Sequence, residues 1–126
     1  MKIFNGSPHP INVVGNGVSD PAIRKLVVPA DQEPQILVSI PSNGMLSAKI
    51  EDSKEPSING IPVFGKKVTG CDPIPEGYDV IIVSALYVSA ARAMGLDTAR
   101  LYTVANPVYS QGGKSILGCQ GICRAF

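Results

Sequence analysis

The sequence predicts an α+β fold, a curved and mainly antiparallel sheet of short strands with one main helix packed on it. Three observations lead there. Thirteen glycines and eleven prolines in 126 residues interrupt the chain at short intervals, so its strands are expected to be short. Apolar, largely β-branched runs recur between those interruptions, as at Ile11 to Val14, Ile36 to Ile40 and Val80 to Val83. Only the stretch from Ala85 to Met94 combines good helix formers with suitable ends, Ser84 as an N-cap and Gly95 as a C-terminal stop. The length fits one domain over residues 1–126.

In chain order, Lys2 to Asn5 reads as a first strand that ends at the turn Gly6, Ser7, Pro8, His9, Pro10. The two prolines hold Ser7 and His9 in extended conformations, which makes this a rigid turn. Ile11 to Val14 follows, then a hairpin-type connection at Gly15, Asn16, Gly17, and a strand over Ile23 to Val28. The polar patch Asp31, Gln32, Glu33 precedes the strand Ile36 to Ile40, and Ser42, Asn43, Gly44 turn into a strand over Met45 to Ile50. Glu51 to Pro56 is the most charged stretch and is expected to be a mobile loop tip. Asn59 and Gly60 predict a tight hairpin, and Pro62 confines the next strand to an edge or a bulge.

Val80 to Val83 is the expected core strand, running straight into the helix. Helical spacing puts Leu86, Ala90, Ala93 and Met94 on one apolar stripe, with Arg92 off it. Arg100 to Val104 is β-like and Asn106–Pro107 is expected to end it; Gln111 to Gly113 turns into Ser115 to Leu117, and Gln120 to Phe126 makes a last short strand. No internal repeat is present.

Eleven basic residues against ten acidic ones, with no basic run, argue against long nucleic acids as partners. No window has the eighteen or more apolar residues of a membrane span. The start MKIFNGSP has no apolar leader, and the cysteine number, three, is odd, so a reducing cytoplasm is expected, without a disulfide framework. A small domain of this kind is expected to draw stability from subunit contacts, as a homo-oligomer.

Four pieces of the chain resemble a family of small phage and bacterial proteins with an N-terminal Asn-x-Thr-Pro-His-Pro-Val signature. They are Asn5 to Ile11; Ile40 to Gly44 with Gly60 to Val63; Tyr78 to Ser84, similar to a Tyr-x-x-Ile-Val-Ser join; and Ile116 to Gly121, similar to Ile-x-Gly-Cys-Arg-Gly. Ser7 stands for the usual Thr, Gly6 for an apolar residue, and Gln120 for an Arg. The resemblance implies a compact domain of phage or prophage origin, in a bacterial host cell.

His9, the only histidine, is the one group whose ordinary pKa lies near neutrality, and it can serve as acid, base or ligand contact; alternatively Asn5, Ser7 and His9 bond nearby backbone and fix the turn. Ser84 is a plain cap or a cap at an anion site, since no Gly-x-Ser-x-Gly elbow surrounds it. Tyr87 and Tyr109 are candidate stacking groups, and Arg92 and Arg124 candidate phosphate contacts, either of which can equally be surface charge. Cys71, Cys119 and Cys123 lack metal-binding spacing, and Cys119 and Cys123 on an extended strand would lie roughly 13 Å apart, so neither metal nor cofactor is expected.

The expected function is therefore non-catalytic binding of a small ligand, a nucleotide by preference, with sequestration of a bacterial immune signal as its biological form. An enzyme degrading such a nucleotide with His9 as general acid or base is the alternative. A protein-interaction module docking through an edge strand near Pro62 is the third reading.

Overall fold

A computed structural model describes residues 1–125. The elements are β1 (Ile3–Asn5), β2 (Ile11–Val14), β3 (Val18–Asp20), β4 (Lys25–Val28), β5 (Ile36–Ile40), β6 (Ala48–Ile58), β7 (Ile61–Cys71), β8 (Val80–Ile82), α1 (Ala85–Ala93), β9 (Leu101–Ser110) and β10 (Ile116–Arg124). Eight strands form one sheet, ordered β1-β8-β9-β10-β2-β5, with β4 on β9 and β3 on β4; β6 and β7 make a separate two-stranded hairpin.

The α+β expectation is corrected by this arrangement. Half of the chain is strand and 7% helix, and the large sheet curls into a nearly closed barrel. Four of its ladders are parallel, β1 with β8, β8 with β9, β2 with β10 and β4 with β9. Parallel neighbours need long connections, so these pairings join segments far apart in sequence that no local signal relates.

β8 is buried along its whole length because both of its faces are covered. Ile81 points to a cluster with Val83, Tyr87, Val88, Ala91 and Leu101 beneath α1. Val80 and Ile82 point the other way, to Ile11 and Cys119. A third cluster of Val14, Val28 and Val108 fills the far end. Alternation of side chains along a strand explains why an unbroken apolar run serves here.

The barrel is closed by hydrogen bonds from the segment after β5. Asn43 N donates to Asn5 O at 2.9 Å, Asn5 N donates to Asn43 Oδ1 at 2.8 Å, and Leu46 N donates to Gly6 O at 2.9 Å. On the other side β10 meets β2 at Cys119 and Val13, where a side chain at Gly118 would fall on the Asn12 carbonyl.

Several local expectations also change. Glu51 to Pro56 is the middle and outer part of β6, because Glu51 and Asp52 stand opposite Lys67 and Lys66 on β7, and opposite charges favour such cross-strand pairs. Gly15 to Gly17 turns the chain, but β2 and β3 do not pair with each other. β9 runs on through Pro107, with Asn106 in the left-handed region at φ 55° taking up the irregularity. Ser115 to Leu117 and the Gln120 segment form one strand, β10; Phe126 lies outside the described residues. On α1 the buried residues are Tyr87, Val88, Ala90 and Ala91, whereas Leu86 and Met94 are exposed, so the predicted stripe is rotated. Tyr87 anchors that rotation by donating its hydroxyl to Asp72 O at 2.6 Å. The Asn59–Gly60 turn forms as expected, both residues having positive φ.

Candidate functional site

The rigid N-terminal turn is built around Asn5, which is fully buried. Its Nδ2 donates to His9 O and to Ile40 O, both at 3.0 Å. Its Oδ1 accepts from Ser7 N at 3.0 Å and from Ser7 Oγ at 2.7 Å. All of the amide's bonding capacity is thus spent inside the protein. Asn5 shapes the site and presents no free group to a ligand. Ser7 Oγ also lies 2.8 Å from His9 O, while the His9 side chain is exposed and its imidazole makes no hydrogen bond among the described residues.

The helix start faces this turn. Ser84 is the N-cap of α1, its Oγ accepting from Tyr87 N at 3.1 Å. That leaves the Ser84 hydroxyl hydrogen available to an outside acceptor. A depression of about 240 Å³ holds Ser7 and Pro8 on one wall, Ser84 and Ala85 on the other, with Thr103 and Val104 of β9 between them. Ser7 and Val104 also line a larger apolar depression of about 360 Å³, with His9, Ile116 and Leu117. On the opposite side Ala85 and Thr103 are shared with a depression of about 280 Å³ that contains Ser89, Arg92, Cys123 and Arg124. The three adjoin one another through these shared residues, and the row they make is the trough.

The trough is chemically polarised. Its His9 end is walled by Ile11, Val104, Ile116 and Leu117; its far end carries two guanidinium groups and the hydroxyls of Ser89 and Thr103. No carboxylate lines any part of it among the described residues. Two arginines without an acidic neighbour suit a phosphate or carboxylate, which a guanidinium binds through paired N–H donors. Arg124 also lies over the Tyr102 ring, 5.6 Å from its centroid, and this restrains the side chain.

Five expected residues from separate parts of the chain line these adjoining depressions, Ser7 and His9 in the apolar one, Ser7 and Ser84 in the middle one, and Arg92 and Arg124 in the cationic one. The two expected stacking tyrosines do not. Tyr87 is a core residue with no ring face open to a ligand, and burial, followed by the charges of Cys71 and Asp72, pushes its hydroxyl up to about 12. Tyr109 lies outside the trough, with the Lys25 ammonium 4.4 Å from its ring centroid. Cys119 is buried at the floor of the apolar end, and desolvation raises its thiol pKa despite the opposing effect of a hydrogen bond with the Gly121 backbone. No group of three or more His, Cys, Asp or Glu converges as a metal set among the described residues.

Sequence reading missed Ser89, Tyr102 and Thr103. Ser89 was within reach of a periodicity argument, since Ala85, Val88, Ser89 and Arg92 follow the i, i+3, i+4, i+7 spacing of one helix face. Tyr102 and Thr103 have no local signal; they belong to the site because β9 pairs with β10, setting Tyr102 opposite Arg124 and Thr103 opposite Cys123.

Compared with family models, curated proteins and solved structures, the chain matches none. No helix among the described residues is long and apolar enough to cross a membrane.

Proposed function

We propose that this chain is a non-catalytic binding protein for a nucleotide, with the phosphate at the Arg92 and Arg124 end of the trough and the base toward the apolar His9 end. The observation that carries this reading is that Ser7, His9, Ser84, Arg92 and Arg124 line three adjoining depressions, apolar at the His9 end and cationic at the Arg92 and Arg124 end. The larger depression alone, about 360 Å³, falls within the range of about 300–1,000 Å³ usual for small-molecule pockets. Binding without turnover is favoured because His9 has no carboxylate or nucleophile aligned on it in the trough, as general acid–base chemistry requires. The resemblance to phage proteins gives the activity its setting, sequestration of a signalling nucleotide in the cytoplasm of a bacterial host.

Calorimetry against cyclic and ADP-ribose-type nucleotides, with recovery of the ligand after denaturing the protein, tests the reading. At least one nucleotide should bind and be recovered intact. Arg124→Ala should weaken binding by about 1.5–3 kcal/mol, the usual range for a charge-assisted hydrogen bond, with the melting temperature nearly unchanged. Absence of binding across the panel sinks the proposal, and recovery of a cleaved ligand replaces it with the hydrolytic alternative.

A further inference from the structure

We infer that Asn59, at the tip of the arm formed by the β6–β7 hairpin, is a site of spontaneous covalent change, at which the side-chain amide is lost as ammonia and the residue becomes aspartate or isoaspartate. The attacking group in this reaction is the main-chain nitrogen of the next residue, and glycine leaves that nitrogen least hindered. Asn–Gly is therefore the reactive pair. The chain has four of them, Asn5–Gly6, Asn16–Gly17, Asn43–Gly44 and Asn59–Gly60.

The fold protects three of the four. Asn5 is fully buried with its amide bonded at both ends, and Gly6 N donates to Ile82 O at 2.8 Å. Asn16 Nδ2 donates to Glu33 O at 2.8 Å, and its Oδ1 accepts from Gln35 N at 2.8 Å. Asn43 Oδ1 accepts from Asn5 N at 2.8 Å, and Gly44 N donates to Ser42 Oγ at 3.2 Å. In each case the amide, the attacking nitrogen or both are held by hydrogen bonds. Asn59 has neither restraint, since its side chain and Gly60 N make no hydrogen bond among the described residues. From Glu51 to Pro62 every residue is exposed, and the space beside Gly60 is open. A two-stranded arm without cover is marginal in water, so the pairing of Ile58 with Ile61 holds this turn only weakly.

When the turn opens, Gly60 N gives up its proton and bonds to Asn59 Cγ. The Cγ–Nδ2 bond breaks, and Nδ2 leaves with that proton as ammonia, which closes a cyclic imide. Water, the co-reactant, then adds to one of the two ring carbonyls. Cleavage between Cγ and the nitrogen leaves aspartate in a normal backbone; cleavage between the main-chain carbonyl carbon and the nitrogen leaves isoaspartate, with one more carbon in the main chain. Either product adds one negative charge to a chain whose formal net charge is +1. The change is confined to the end of the arm, away from the buried clusters of the barrel.

The test holds the folded wild-type chain in mildly alkaline buffer, beside the same chain unfolded in urea, and follows both by peptide mapping with tandem mass spectrometry. In the folded chain Asn59 should convert at least about tenfold faster than Asn5, Asn16 or Asn43, because those three react only after a local opening breaks their hydrogen bonds. In urea the four should convert at comparable rates, as expected if the fold sets the difference and the neighbouring residues do not. Ion exchange of the folded chain should resolve an acidic form that grows with time in the wild type. The same form should not grow in Asn59→Gln, whose longer side chain closes the ring slowly. Conversion of Asn16 or Asn43 as fast as Asn59 in the folded chain overturns the inference. So does an Asn59 that stays intact there, a preference for Asn59 that persists in urea, or an acidic form that grows equally in Asn59→Gln.

Discussion

The barrel and the β6–β7 arm are both made of strands, yet they are held by different forces. In the barrel, strands of three to ten residues are joined mostly by partners distant in sequence, the β3–β4 and β9–β10 pairs excepted, and their side chains fill three buried clusters. In the arm, two eleven-residue strands are neighbours in sequence joined by the Asn59–Gly60 turn, and their outer halves bury nothing. Hydrophobic burial and satisfied buried polar groups fix the first; local turn chemistry and cross-strand charge pairs fix the second. The difference teaches that sheet geometry alone does not indicate stability, since the longest strands of this protein are the least covered.

The strongest way to break that contrast is at Asn5. Asn5→Ala removes four hydrogen bonds and leaves the Ile40 carbonyl, the Ser7 amide and one bond to His9 O without their partner at the barrel seam. At about 1–3 kcal/mol for each buried group left unpaired, the expected loss is roughly 3–5 kcal/mol, a large part of the stability of a small domain. Urea unfolding followed by circular dichroism measures it; a loss under about 1 kcal/mol would mean that the seam is held mainly by apolar packing.

A smaller effect is expected at Tyr87, which ties α1 to Asp72 above the barrel. Tyr87→Phe should cost about 1 kcal/mol at neutral pH, the net worth of one hydrogen bond. The pH dependence has a definite sign. Burial raises the folded-state value from 10.0 to about 12, so the neutral phenol is favoured by folding. Its contribution is complete below pH 10 and is lost as the pH rises from there through about 12. Melting temperatures across that window should fall more steeply for the wild type than for Tyr87→Phe, and parallel curves would count against the assignment.

The smallest effect belongs to the arm. Asp52→Ala breaks the ion pair with Lys66, 3.8 Å apart and highly exposed on both sides, and should change stability by less than about 0.5 kcal/mol. A larger change in thermal unfolding would show that the arm is coupled to the barrel more tightly than its exposure indicates.

Much of the local structure could be read from the sequence. The strands β2, β5 and β8, the Ser84 cap and the Asn59–Gly60 turn each announce themselves through residues within a few positions of one another. The candidate site was legible as a set of residue types, the turn of Ser7 and His9, the cap at Ser84 and the arginines. It was not legible as a trough, because that depends on α1, β9 and β10 meeting beside the turn.

What the sequence determined by itself was where the chain is straight, where it turns and where its one helix begins, since these follow from side-chain branching, missing donors and capping hydroxyls. Tertiary structure alone decided the rest: that the sheet closes on itself, that charged Glu51 to Pro56 is strand, that Asn5 is a buried clasp, and that Tyr87 belongs to the core. Each of these depends on a partner far away in the chain. Lys67 makes a strand of Glu51, the carbonyls of His9 and Ile40 make burial of Asn5 tolerable, and Asp72 O gives Tyr87 the acceptor it needs in the core.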